Sequence, residues 1–168
     1  RLSNELCSIR PDEDRYCLAA WLWMHAQGKL IRHQFRRGLM RSAARLTYDQ
    51  VQAFRDGHEP DIPEAAKAAI PPLYEAWKAL DEARHRRQTL EIDLPERKIE
   101  LDDAGQVVKV APVKRLDSHR LIEEFMICAN VAAAETLEAR GQPCMYRVHE
   151  PPDLKGLEAL RQVLHDLG

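Results

Sequence analysis

The chain has 168 residues, of which 45% are hydrophobic and 31% charged, with seven Gly and ten Pro, a balance that excludes collagen-like, low-complexity and broadly disordered classes. Its 25 Lys and Arg face 27 Asp and Glu, a net charge of −2, so a case for nucleic-acid binding must rest on where the basic residues sit. No apolar run approaches the roughly 20 residues that cross a bilayer, and no membrane role is expected.

The sequence opens Arg1-Leu2-Ser3-Asn4-Glu5 without Met or an apolar signal region, and is expected to be a piece of something longer. Residues 1–15 are polar and irregular. Tyr16 to His25 reads as a strand with both faces largely covered, and Ala26-Gln27-Gly28 as a turn. Lys29 to Met40 alternates, with Ile31, His33 and Phe35 on one face, which completes a β-hairpin. Thr47 is the expected N-cap of a short helix over Tyr48 to Arg55 that ends at Gly57. Ile62-Pro63 opens a helical stretch that Pro71-Pro72 is expected to interrupt or restart, with Pro72 at the start of the long helix. Leu73, Trp77, Leu80 and Ala83 then continue at helical spacing to about Arg87.

A second hairpin is predicted from Lys98–Leu101 and Val107–Ala111 around Asp102-Asp103-Ala104-Gly105. Asp117-Ser118 is the expected cap of a long helix over Ser118 to Arg140, stopped by Gly141. Met145 to Val148 reads as a short strand and Leu154 to Leu167 as an amphipathic helix. The fold class is therefore α/β or α+β, with a mixed, largely antiparallel sheet of hairpins packed by several helices. The four cysteines form no C-x-x-C pair, and a reduced, cytoplasmic setting is the simpler expectation.

Three groups of residues carry chemical interest. Lys29, Arg32, Arg36, Arg37, Arg41 and Arg45 place six positive charges in seventeen residues with no acidic residue among them. Such a strand suits a polyanion through counterion release, and equally suits an edge protected by charge. Trp21, Trp23 and Phe35 could stack on bases, although aromatic residues of a hairpin more often pack in a core. The helix His119 to Asn130 is apolar on nearly every side, so it is expected to be buried on more than one face. Glu123, Glu124 and Asn130 then need partners or a cleft, with Arg120–Glu124 and His119–Glu123 as candidate local pairs. Tyr146-Arg147-Val148-His149-Glu150 places Arg147 and His149 on one side of the predicted strand. Asp102-Asp103 is better explained by turn propensity than by a metal. No P-loop, G-x-G-x-x-G, G-x-S-x-G or H-E-x-x-H motif is present.

Several blocks together resemble a known family. They are Leu2-Ser3-Asn4-Glu5-Leu6-Cys7-Ser8 with Pro11 and Arg15, Ser42-Ala43-Ala44-Arg45-Leu46-Thr47-Tyr48, Leu94-Pro95-Glu96, His119-Arg120-Leu121-Ile122-Glu123-Glu124-Phe125-Met126-Ile127 with Ala129-Asn130, and Tyr146-Arg147-Val148-His149-Glu150-Pro151. In this order the sequence looks like the second part of the catalytic RNB domain of ribonuclease R and ribonuclease II, with residues 1–168 incomplete at both ends. The resemblance implies a processive 3′-to-5′ exoribonuclease that threads single-stranded RNA and releases nucleoside 5′-monophosphates with Mg²⁺. It also implies that the metal-binding aspartates precede Arg1 and the phosphate-stabilising arginines follow Gly168. No catalytic or metal-binding residue is carried over, and the isolated chain is expected to be inactive. The resemblance places Tyr48 and a glutamate of Glu123-Glu124 near the RNA end, where they help select ribose. Glu123 is the first choice because it shares a helix stripe with Asn130, whereas Arg120 can neutralise Glu124. Arg41 and Arg45 complete the expected RNA contacts. DNA is not an expected partner, self-association is expected if apolar surface is left open, and a non-catalytic RNA-binding or protein-interaction scaffold is the alternative.

Overall fold

The computed structural model describes residues 5–89 and 97–167, so Leu94-Pro95-Glu96 and the stretch Leu2-Ser3-Asn4 lie outside the described residues. Contacts divide the chain into two compact units, Arg1–Ala133 and Ala134–Gly168.

In the first unit, β1 (Asp14–Met24) pairs antiparallel with β2 (Leu30–Arg41), in register from Asp14↔Arg41 to Met24↔Leu30 with an irregularity between Trp23 and Met24. The turn closes where Gly28 N–H donates to the His25 carbonyl, with Gly28 at φ +74°. Gly28 is required twice over, because a Cβ at this position would lie 2.1 Å from the Ala79 carbonyl oxygen. The ribbon does not bury both faces as expected. Tyr16 and Leu18 are 94% and 68% exposed, whereas Cys17 and Ala19 between them are half-buried. Successive side chains turn to opposite faces, and a ribbon of two strands leaves one of them open. Trp21 is exposed and stacks beside Trp23 at 6.3 Å, while Arg32 lies over the Trp23 ring at 3.9 Å, so these residues are not a core. His33 and Phe35 do share a face, meeting edge-on at 6.1 Å.

Helix α1 (Tyr48–Arg55) starts as expected at Thr47, which forms a capping box with Gln50, and Gly57 follows it at φ +87°. Helix α2 runs unbroken over Glu64–Arg86 with Pro71 and Pro72 inside it, contrary to the expected interruption. An interior proline costs about 3 kcal/mol because it removes a rung and crowds the preceding turn. Burial of Ile70 before the pair, and of Trp77, Leu80 and Ala83 after it, offsets this at roughly 1.5–3 kcal/mol for each large side chain. Tertiary packing thus overrides the local rule.

The second hairpin, β3 (Arg97–Leu101) with β4 (Val107–Pro112), forms a separate two-stranded sheet rather than joining the first. Asp102 Oδ1 accepts from the N–H groups of Ala104 (3.0 Å) and Gln106 (2.8 Å), which accounts for this aspartate as a turn former. Helix α3 spans Asp117–Ala139 and crosses the boundary between the units. It buries one face, through Ser118, Leu121, Glu124 and Ala132, while Ile122, Met126, Ile127 and Val131 are exposed, so the expected burial on several faces is not found. Among the described residues the buried apolar side chains are Ile62, Ile70, Trp77, Leu80, Ala83, Leu121 and Ala132, which places the core where α2 and α3 turn their apolar stripes inward.

In the second unit, Gly141 at φ +62° ends α3, with Gln142 N–H donating to the Leu137 carbonyl. Residues 142–153 form no strand, which corrects the reading of Met145–Val148. Pro143, Pro151 and Pro152 deprive the segment of ladder donors, and Met145 and Val148 are 99% and 81% exposed. Helix α4 (Leu154–Leu167) forms as expected, with Leu160, Val163, Leu164 and Leu167 exposed.

Candidate functional site

The capping box decides where Tyr48 sits. Thr47 Oγ1 accepts from Gln50 N–H and Gln50 Oε1 accepts from Thr47 N–H, which makes Tyr48 the first residue of α1 and leaves it 43% exposed. Ser118, expected as a cap, has a different task. Its hydroxyl donates to the Tyr48 carbonyl (3.0 Å) and its N–H donates to Gln52 Oε1 (3.2 Å), so the start of α3 is bound to α1. One residue on, His119 stacks on Tyr48 with ring centroids 4.1 Å apart and planes at 23°. His119 Nδ1 accepts from Leu116 N–H at 3.2 Å, fixing the imidazole against the helix start. Arg55 bonds Asp117 and lies over the rings of Tyr74 (4.7 Å) and Trp77 (5.6 Å), which brings in α2. Burial pushes the Tyr74 phenol pKa up, and the Arg55 charge pulls it the other way. Beside Tyr48 an apolar hollow of about 430 Å³ is walled by Ala43, Ala69, Ile70, Leu73, Leu121 and Ile122 among others.

Further along α3 lies a second cavity, of about 510 Å³, lined by Arg84, Arg87 and Thr89 from the end of α2, by Arg115, and by Glu123, Glu124, Met126, Ile127 and Asn130. It brings together three of the residues singled out in the sequence. Glu124 is only 2% exposed, and its carboxylate accepts from Arg84 Nη1 at 3.2 Å. A lone carboxylate there would be costly to bury, and the guanidinium provides its compensation. Glu123 is half-buried and bonds Arg115. These partners replace the expected local pairs Arg120–Glu124 and His119–Glu123, because the buried face of α3 meets α2 and His119 is engaged with Tyr48 instead. The Cys128 thiol, one turn on, has its pKa raised by burial and then by the Glu124 carboxylate, with Arg87 acting in the opposite sense. Cys128 is half-buried and so not part of a closed core.

Neither Tyr48 nor Arg41 nor Arg45 lines the second cavity. Arg41 ends β2 and donates from Nε to Asp14 Oδ1 at 2.7 Å, a bond that raises its pKa. Arg45 is exposed between β2 and α1. Sequence reasoning missed Arg84, Arg87, Thr89 and Arg115, and gave His119 a different partner. A carboxylate in an apolar helix demands a cation, and the basic run Arg84-His85-Arg86-Arg87 was the signal that could have supplied one. Among the described residues no group of three or more His, Cys, Asp or Glu side chains could hold a metal ion. The segment Tyr146-Arg147-Val148-His149-Glu150 is exposed and non-strand, so strand parity does not pair Arg147 with His149. There Tyr146 donates to Glu138, and its pKa is pushed up to about 12.

The chain matches the family model of the RNB domain over residues 1–167. It is 37% identical to ribonuclease R of Vibrio cholerae over 170 residues, covering 99% of this chain and 21% of that protein. It is 34% identical to ribonuclease R of Escherichia coli, covering 99% and 21%. The chain thus spans about a fifth of the length of these relatives. Among solved structures it is similar to Mycoplasma genitalium RNase R in complex with ribose-methylated single-stranded RNA, at a TM-score of 0.90 and 25% identity, covering 99% of this chain and 26% of that one. The same enzyme in complex with double-stranded RNA gives a TM-score of 0.91 at 25% identity, covering 99% and 30%.

Proposed function

Because this chain belongs to the RNB-domain family of ribonuclease R and ribonuclease II, we propose that it is the RNA-guiding part of a 3′-to-5′ exoribonuclease that degrades single-stranded RNA to nucleoside 5′-monophosphates. The observation that carries this reading is the cavity in which Glu123 and Asn130 stand beside an apolar wall of Met126 and Ile127 and an arginine-rich end of α2. A nucleotide needs those three kinds of surface: an acceptor for the 2′-hydroxyl, an apolar face for the base, and guanidinium groups for phosphate. Glu123 is the better ribose acceptor, since Glu124 is buried against Arg84. Arg41 and Arg45, both exposed, supply phosphate contacts at the approach. The M. genitalium RNase R complexes, with RNA bound to a protein of this fold, support the same partner.

The family resemblance implies Mg²⁺, which would supply an activated water and charge stabilisation for the leaving oxygen. The residues described here do not fit such a centre, since Glu123 and Glu124 each bond an arginine and no third carboxylate joins them. No hydrolytic step is assigned to them, and this segment contributes binding and orientation. The test uses 5′-labelled single-stranded RNA with Mg²⁺. The full-length protein should shorten it from the 3′ end with release of mononucleotides, while the 168-residue chain alone should not. Mononucleotide release by the chain alone, or internal cleavage by the full-length protein, would overturn the proposal.

A further inference from the structure

We infer that His119 is the positioning residue that holds Tyr48 for ribose recognition, an inference that rests on the proposed RNA binding and on the RNA contact that the family resemblance implies for Tyr48. The argument begins with the ring pair. Tyr48 is the first residue of α1, so only one side of its backbone is anchored by helix, and it is 43% exposed. The plane of an exposed ring at such a position must be fixed from outside, and the imidazole of His119 lies against it at 4.1 Å and 23°. His119 is itself held, because its Nδ1 accepts from Leu116 N–H at 3.2 Å. The neighbouring Ser118 hydroxyl fixes the Tyr48 carbonyl at 3.0 Å, so ring and backbone of Tyr48 are gripped by consecutive residues of α3.

The helix period supplies the second half. Glu123 is four residues after His119, one turn along the same face, and Asn130 is seven after Glu123. His119, with the Tyr48 ring stacked on it, therefore heads a stripe of α3 that continues through Glu123 to Asn130, and is the joint between the aromatic and carboxylate ends. A nucleotide lying along this stripe would meet the Tyr48 ring and the Glu123 acceptor in a spacing set by His119. The expected His119–Glu123 pair is replaced by a division of labour, in which Arg115 holds Glu123 and His119 holds Tyr48.

The test uses the full-length protein and two substrates, an all-ribose oligonucleotide and one with a 2′-deoxy sugar near its 3′ end. The readout is the ratio of kcat/KM for the two, from which a uniform loss of folded protein cancels. His119→Leu keeps the packing volume and removes the flat ring, whereas His119→Phe keeps the ring and removes the nitrogen. The ribose preference should fall roughly 3- to 10-fold in His119→Leu, the size of one aromatic pair, and should be retained in His119→Phe. A Leu variant with the unaltered ratio overturns the inference while Tyr48→Ala still lowers it. If Tyr48→Ala itself leaves the ratio unchanged, the RNA-contact reading of Tyr48 fails, and the role of His119 falls with it.

Discussion

Replacing Gly28 by alanine tests how the hairpin tip is docked on α2. Two costs combine at this position. At φ +74° any side chain sits in the left-handed region, which costs about 1–2 kcal/mol. The added Cβ would also lie 2.1 Å from the Ala79 carbonyl oxygen, 2.7 Å from its carbon and 2.8 Å from the Ala83 Cβ. The first two atoms belong to the backbone of α2 and cannot swing aside, so the tip must lift, at an overpacking cost of about 1–3 kcal/mol. The sum is about 2–5 kcal/mol, a large share of the roughly 5–15 kcal/mol that holds a typical domain together. Gly57→Ala is the matched control, since Gly57 has φ +87° but nothing within 4 Å. Urea unfolding followed by tryptophan fluorescence should show Gly57→Ala losing only the conformational part, about 1–2 kcal/mol. Gly28→Ala should lose about 1–3 kcal/mol more, at an unchanged urea slope. Equal losses for the two variants would refute the close packing of tip against helix.

Three further predictions concern other parts of the molecule. Arg84→Ala strands the buried Glu124 carboxylate and should destabilise the fold by about 3–5 kcal/mol, whereas joint replacement of Arg84 and Glu124 by Met and Leu should recover most of that in the same unfolding assay. Gln88 follows α2 at φ +53°, so Gln88→Gly should raise stability by about 1 kcal/mol, and an unchanged or lowered melting temperature would count against strain at that residue. Tyr146 keeps its proton to about pH 12 because the neutral phenol donates to Glu138, whereas a phenolate would be repelled. The folded chain therefore holds this proton above the ordinary phenol pKa of 10, so the stabilisation is whole below pH 10 and fades as pH rises to about 12. Alkaline absorbance titration should show a latest tyrosine step near pH 12 that Glu138→Gln shifts back while the raised step of buried Tyr74 stays in place, and a wild-type titration with no step near pH 12 would contradict the bond.

What the sequence revealed and what it concealed divide by distance along the chain. Thr47 as N-cap, Gly57 after the first helix, the Gly28 turn and the Asp102 turn were legible because each is decided by a few adjacent residues and their own hydrogen bonds. The Arg84–Glu124 pair and the Tyr48–His119 stack join residues far apart in sequence, and only the packing of α1 and α2 against α3 brings them together. Local rules also failed where packing outvoted them, as at Pro71-Pro72 inside α2. They failed again at Met145–Val148, where apolar alternation without a partner strand gave no strand. The proposed RNA contacts fall in the same pattern. Glu123 and Asn130 share a cavity as their spacing on one helix suggested, while the arginines around them come from segments the periodicity of α3 says nothing about.

The two prolines inside α2 have a mechanical consequence. Without N–H groups, Pro71 and Pro72 leave the carbonyls of Lys67 and Ala68 out of the helical ladder, so this turn of α2 is held by packing rather than by its own rungs. Ala65, Ala66, Ala69 and Ile70 wall the apolar hollow beside Tyr48 from before the proline pair, and Leu73 and Tyr74 wall it from after the pair. The width of that hollow is therefore set across the turn that lacks its rungs, held from one side by buried Ile70 and from the other by buried Trp77, Leu80 and Ala83.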